Sequence, residues 1–179
     1  MGAEAKPVNT AAPDFERVKH FGPQEFSEDP VLYAEARQVY NLDQWREWLG
    51  SKAYPSKAEG GLARFSGDKT SRHRVILDGD NVVKRSDAND IFPERPQAAW
   101  LLAVTCGLFG AVGLYTDTKG NNGQPWPMLH IDGRPQPGNG HGRPYPLLWH
   151  RHDGEYHYIQ YHPDQLDRMI GMLSKWSSV

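Results

Sequence analysis

The sequence predicts an α+β fold in which a small antiparallel sheet is flanked by helices, and three observations carry that reading. Between residues 30 and 49, Leu32, Val39, Leu42, Trp45 and Leu49 recur at helix-like intervals, and Gly50 supplies a stop. Near the other end Leu166, Met169, Ile170 and Leu173 form the i, i+3, i+4, i+7 stripe of a second amphipathic helix. Between them Asp153-Gly154 separates two strand-like runs, 147–151 and 155–161, as the strongest two-residue hairpin signal in the chain. Helices that bracket antiparallel strands define the α+β class.

Each further element follows from local chemistry. Residues 1–20 are small, polar and Pro-containing, which predicts an N-terminal arm with little core of its own, leaving 21–179 as a single domain. Phe21-Gly22-Pro23-Gln24-Glu25-Phe26-Ser27 is expected to close a helical turn over the domain, and 30–49 to form one helix. The Gly-rich stretch 51–68 reads as loop with a short strand at 62–65. Runs 74–77 and 82–84 flank Asp78-Gly79-Asp80-Asn81, so with Gly79-Asp80 as the central pair Leu77 faces Val82 and Ile76 faces Val83. Residues 97–109 are apolar on nearly every face, the pattern of a buried helix that Gly107 weakens at its end. Strands are expected at 111–115 and 128–132 across a Gly/Asn/Pro-rich loop, and the last helix starts near Pro163-Asp164 after the Pro/Gly-rich segment 133–146.

Composition narrows the function. The chain has 179 residues, 38% hydrophobic, with 20 basic and 22 acidic side chains and a formal charge of −2. That balance provides no electrostatic footprint for nucleic acid or an anionic membrane, so an enzyme or a neutral binding module fits better. The lone cysteine, Cys106, cannot form an intramolecular disulfide, and its apolar run predicts a core thiol. The first residues lack the apolar stretch of a secretory signal and no segment approaches a membrane span, so a soluble protein that does not export itself is expected.

Three segments read together as one metal site: Ser71-Arg72-His73, Ser86-Asp87-Ala88-Asn89-Asp90-Ile91 and Leu129-His130-Ile131-Asp132. Two histidines and one carboxylate can bind Zn²⁺ and leave a fourth position open, where zinc acidifies water for hydrolysis. These segments resemble, in order, the Ser-x-His, Ala-x-Asp-Ile and Val-His-Val-Asp elements of the zinc D-alanyl-D-alanine carboxypeptidase family, murein peptidases that share the hedgehog-type fold. Gly110-Ala111-Val112-Gly113-Leu114-Tyr115 is similar to that family's Gly-Gly-Val-Gly-Val-Tyr strand, and the Phe-x-x-x-Glu-Phe entry at 21–26 to the start of its small members. The resemblance covers roughly residues 20 to 150. It implies a hedgehog-like fold, Zn²⁺ on His73, Asp90 and His130, and hydrolysis of peptidoglycan stem or cross-link peptides, with a phage or prophage origin suggested by the compact chain.

The sequence departs from the family in two places. Seventeen residues separate His73 from Asp90 where seven are usual, a gap the 74–85 hairpin fills by leaving and re-entering at one point. The acidic residue expected three positions before the last ligand is Pro127. Asp132, which shares the face of His130 on a strand, is the substitute proton-transfer group or a carboxylate that orients the ligand. Asp87 competes with Asp90 for the metal. Arg64 stands where the family has a substrate-binding or oxyanion-stabilising arginine, or is simply solvated, and alternation turns Arg72 away from the ligands. A two-residue turn at Asp153-Gly154 pairs His152 with Glu155 and His150 with His157, a second metal patch or the polar face of a hairpin whose Trp149, Arg151, Tyr156 and Tyr158 pack inward. His20, His141 and His162 carry no readable role. Loop 116–127 with Trp126 forms a wall of the cleft or a partner surface, and Asp117 is the next candidate base. The reading from a different class is a non-catalytic structural or assembly protein, with virion proteins as its partners.

Overall fold

A computed structural model describes residues 11–120, 122–134, 146–159 and 164–176. The fold is mixed α+β. Strands β1 (Ala53–Pro55), β4 (Ala88–Pro93), β5 (Ala111–Tyr115), β6 (Met128–Asp132), β7 (Leu147–His152) and β8 (Glu155–Tyr158) form one sheet in the order β1-β4-β6-β5-β7-β8. Every pairing is antiparallel except β5 with β7, which is parallel and corrects the wholly antiparallel expectation. Strands β2 (Ile76–Asp78) and β3 (Asn81–Lys84) stand apart as a two-stranded hairpin.

One face of the large sheet makes the core. Ile91, Leu129, Ile131, Val112 and Leu114 are all fully buried there against helices α2 (Ala36–Leu49) and α3 (Pro96–Thr105). Trp45 of α2 donates its indole N–H to Ala99 O at 3.3 Å, and Gln38 donates to Ile131 O at 3.1 Å, pinning α2 to α3 and to the sheet. The other face carries Asp90, His130 and Asp132 of the singled-out segments, while Asn89 turns to the core face and meets Gln38.

The helix expected over 30–49 is two. Helix α1 (Pro30–Tyr33), capped by Asp29, stops where Ser86 donates its N–H to Tyr33 O at 2.7 Å and accepts from Glu35 N at 2.8 Å. That bridge satisfies the backbone groups that would have continued the helix, and it anchors the lead into β4. Gly50 ends α2 in the left-handed region, φ +63. Helix α3 is shorter than expected and is not buried all round: Ala99, Trp100 and Ala103 face the core while Leu101 is 56% exposed. Cys106 beyond it is half-buried, its Sγ 3.6 Å from Ala103 O. The strand expected at 62–65 reduces to one bridge, Arg64 with Arg74, and the short strand of that loop is β1 instead. Within the expected arm, Phe15 and Val18 pack against the core and the N–H groups of Lys19 and His20 donate to Asp43. Helix α4 (Gln165–Ser174) buries Met169 and Leu173 but leaves Ile170 46% exposed. The segment around His141, and His162, lie outside the described residues.

The β2–β3 hairpin has Gly79-Asp80 at its turn and Leu77 opposite Val82 as read from the sequence, but a bulge pairs Ile76 with Lys84 rather than with Val83. Asp87 N donates to Arg72 O at 3.3 Å, so the chain leaves and returns at one place. Replacing residues 76–84 by a short turn is therefore expected to leave metal affinity within about tenfold, about 1.4 kcal/mol. Calorimetric titration of the shortened protein checks this, and a folded variant that no longer takes metal would contradict it.

Candidate metal centre

Asp90 on β4 and His130 on β6 are direct cross-strand partners, and the same row continues through Gly113 on β5 and Trp149 on β7 to Tyr158 on β8. Period-two alternation puts Asp90, His130, Asp132 and Tyr115 on one face, away from the helices. His73 reaches them from a loop. Its backbone O accepts from Arg64 N at 2.8 Å, and the neighbouring 60–63 segment is gathered by Glu28, whose carboxylate accepts from Gly60 N at 2.7 Å and Ala63 N at 3.1 Å. Asp90 N donates to Gly61 O at 3.0 Å and so ties that loop to β4.

The three side chains are buried and their ligand atoms form a tight triangle. His73 Nε2 lies 3.0 Å from His130 Nδ1 and 3.4 Å from Asp90 Oδ1, and His130 Nδ1 lies 3.0 Å from the same oxygen. The remaining ring nitrogens assign the tautomers. His73 Nδ1 faces Leu62 O at 3.1 Å and His130 Nε2 faces the Asp132 carboxylate at 3.2 Å, both acceptors, so each of those nitrogens carries the hydrogen in the neutral ring. Two lone pairs and a carboxylate oxygen then converge with no donor among them. Such a cluster suits a cation, and the spacing is close to the about 3.3 Å that tetrahedral coordination at about 2.0–2.1 Å sets between ligand atoms. Among the described residues this buried group could hold a metal ion.

Without a metal the cation is a proton. Burial would lower the pKa of His130, but its hydrogen bonds to Asp132 and Asp90 outweigh that and raise it to about 9. Burial would raise Asp132, yet the His130 and Arg134 bonds bring it to about 2, and the charge of His73 with the His130 bond takes Asp90 lower still. His130, raised above the ordinary 6.5, stabilises the metal-free fold fully below that value and loses the contribution as pH rises through about 9. Asp132, depressed from 3.8, stabilises above that value and loses the contribution as pH falls through about 2. Chelated protein is thus expected to have its highest Tm between about pH 4 and 6.5, and metal should extend the plateau toward alkaline pH because it replaces the His130 proton. A flat Tm profile from pH 5 to 9 in chelator would contradict these assignments.

The sequence-singled residues divide sharply around this centre. Asp87, the rival carboxylate, pairs with the Arg72 guanidinium instead of joining the triangle. Asp132 is wholly buried behind His130, and its carboxylate also accepts from Arg134 Nε at 2.8 Å. That position lies on the far nitrogen of the ligand, so of the two roles open to Asp132 the geometry carries the orienting one. Arg64 lies on the cleft, exposed to solvent. Asp117 is held by Arg151 at 2.8 Å and by Gly154 N at 2.8 Å.

The second histidine group is turned the other way from expectation. His152 does pair with Glu155 and His150 with His157, but His150 is fully buried, stacked on His157 at 4.7 Å, with Nε2 3.2 Å from Gln165 Oε1 on α4. Burial pushes the His150 pKa down, which suits a neutral packed ring. No third ligand gathers with them among the described residues. The opposite face, expected to pack inward, instead lines the metal cleft: only Trp149 is buried, while Tyr156 is 51% and Tyr158 39% exposed.

That cleft has a volume of about 510 Å³, and several of its residues carried no functional reading in the sequence. Tyr115 stands in it beside Asp90, and burial with the negative charge of Asp90 drives its phenol pKa far upward, keeping the O–H as a donor. Trp149 packs its ring 5.2 Å from that of His130, with its indole N–H buried beside the Tyr115 phenol. Gly113 makes this arrangement: any Cβ there would penetrate the Trp149 indole. An isolated glycine inside a strand is the sequence signal for such an approach. Gly113→Ala is therefore expected to cost about 1–3 kcal/mol and to displace Trp149, read as a lowered urea midpoint with altered tryptophan emission; an unchanged midpoint would show that the indole has room to move. Compared with family models, curated proteins and solved structures, the chain matches none.

Proposed function

We propose that the chain is a zinc-dependent peptidase of the D,D-carboxypeptidase or endopeptidase type, with the hedgehog-type fold, acting on peptidoglycan stem or cross-link peptides. The observation that carries this reading is the triangle of His73 Nε2, His130 Nδ1 and Asp90 Oδ1, three acceptors within 3.4 Å of one another that suit a cation, at the bottom of a solvent-reached cleft. Two imidazoles and one carboxylate suit zinc and leave room for water or substrate. Bound there, zinc would supply Lewis acidity and a water acidified toward neutral pH.

The chain's own residues supply the rest. Asp132 holds the His130 ring in its tautomer and raises its basicity as a ligand. Tyr115 stays a neutral phenol in the cleft near Asp90, bonded with Tyr156, a hydroxyl pair suited to an oxygen that gains charge. Arg72, Arg134 and Arg151 on the cleft are matched by Asp87, Asp132 and Asp117, which leaves the exposed Arg64 placed to hold a free carboxylate of a peptide. The resemblance to murein peptidases names that peptide.

One observation favours the other reading, a non-catalytic assembly protein retaining the fold. Asp132 and Asp117 are engaged by arginines, and Asp68 is folded back on Thr70, so no carboxylate stands free beside the ligands among the described residues. Metal analysis of the purified protein, followed by mass analysis of products from murein peptides and intact sacculi, separates the two. Zinc near one equivalent with new peptide termini supports the peptidase; a zinc-loaded protein inert on both substrates would leave the assembly role.

A further inference from the structure

Beyond the metal cleft, β4 runs on from Asp90 to an aromatic shelf. Phe92 lies two residues further on the same face, about 6.6 Å along the strand, and is paired with Tyr54 of β1. Trp126 closes the shelf, its ring centroid 5.6 Å from Phe92 and 5.9 Å from Tyr54. The indole is fixed before any ligand arrives. Its N–H donates to Pro93 O at 2.8 Å, and Gly120 gives it room, since a Cβ there would lie 2.8 Å from Cε3.

Trp126 is the wall shared by two cavities. The larger, about 790 Å³, holds Tyr54, Phe92, Gln24 and Glu94; the smaller, about 470 Å³, sets Trp176 across from Trp126 with Asn122, Gln124 and Glu94. The charges in each cancel. Glu25 and Glu94 are matched by Lys57 and Lys119 in the larger cavity, and Glu94 by Arg95 in the smaller. Glu94 is itself held in place, accepting from Tyr54 Oη at 2.8 Å and Lys52 N at 3.3 Å, and keeps lone pairs for a further donor.

From this we infer that the Trp126 shelf binds a neutral oligosaccharide, one pyranose ring on each side of the indole. A pyranose has an apolar C–H face that stacks on an aromatic ring and an equatorial rim of hydroxyls that planar amides and carboxylates bond in pairs. The fixed Trp126 indole with Gln24, Asn122, Gln124 and Glu94 presents that combination, and the balanced charge selects against ionic ligands. The inference rests on the peptidase reading only for the source of the glycan. A sugar held there and a peptide leading from it along β4 would present to the metal centre a bond a few residues from the sugar.

Chitotetraose, which carries no peptide, tests the shelf on chelated full-length protein, so the result is independent of metal and of hydrolysis. Indole N–H resonances are followed during titration, with six tryptophans in the chain to compare. Shifts confined to Trp126 and Trp176, saturating at millimolar or lower concentration, weakened at least tenfold by Trp126→Ala and several-fold by the exposed Gln124→Ala, are expected. Absence of saturable shifts overturns the inference, as does equal response of Trp45, Trp100 and Trp149, or unchanged affinity in Gln124→Ala and Trp126→Phe together. Binding of a polyproline peptide in place of the saccharide would also overturn it. Loss of murein-peptide hydrolysis with saccharide binding intact would instead strike the peptidase reading alone.

Discussion

His130→Ala is expected to lower affinity for zinc by about 10³-fold, about 4 kcal/mol, and to remove the alkaline stabilisation that metal confers. The imidazole is the hub of the centre: one nitrogen enters the ligand triangle, the other is held by Asp132, and its ring packs on those of His73 and Trp149. Its removal leaves Asp90 and His73 as a two-ligand site. It also leaves Asp90 deeply buried with one imidazole where it had two, so the metal-free protein loses stability as well. His150→Ala is the matched control, because that ring is equally buried but faces α4 on the other side of the sheet. It should lower the Tm and leave zinc titration unchanged. Equal loss of zinc in both variants would mean that the effect is collapse of the sheet, and retained zinc in His130→Ala would place the metal elsewhere.

What the sequence made legible was set by the range of the interactions involved. Strands β5 and β6 and the Asp153-Gly154 hairpin follow from alternation and turn chemistry over a few residues, and they appear where read. His73, Asp90 and His130 meet as their ordered segments implied, because the 74–85 hairpin keeps Arg72 and Asp87 adjacent. The break between α1 and α2 was hidden, since Ala34 and Glu35 are ordinary helix residues and only a partner fifty residues on, Ser86, draws their backbone away. Facing in β7 was hidden for a similar reason. An amphipathic alternation of His and aromatic residues says that the two faces differ, but which one is covered depended on α4 docking over His150. The aromatic face then became a cleft wall. The parallel pairing of β5 with β7 left no local trace at all.

Asp132→Asn distinguishes the two chemical roles that its sequence position left open. The amide is nearly isosteric, but it exchanges a charge for a neutral acceptor between His130 Nε2 and the Arg134 guanidinium. Arg134 keeps partial access to water, so the stability cost should lie near the low end for a broken buried pair, about 2 kcal/mol. Zinc affinity is expected to fall about 10–100-fold, the usual consequence of losing the group behind a ligand histidine. Because Asp132 sits on the far nitrogen of His130 and is fully buried, it does not reach a substrate in the cleft. Hydrolysis of a murein peptide at saturating zinc should therefore recover to within a few-fold of wild type, and the pH profile of zinc uptake should move as the basicity of His130 falls. A kcat lowered by about 10²–10⁴-fold with zinc fully bound is the signature of a lost general acid or base, and that result would return Asp132 to the proton-transfer role.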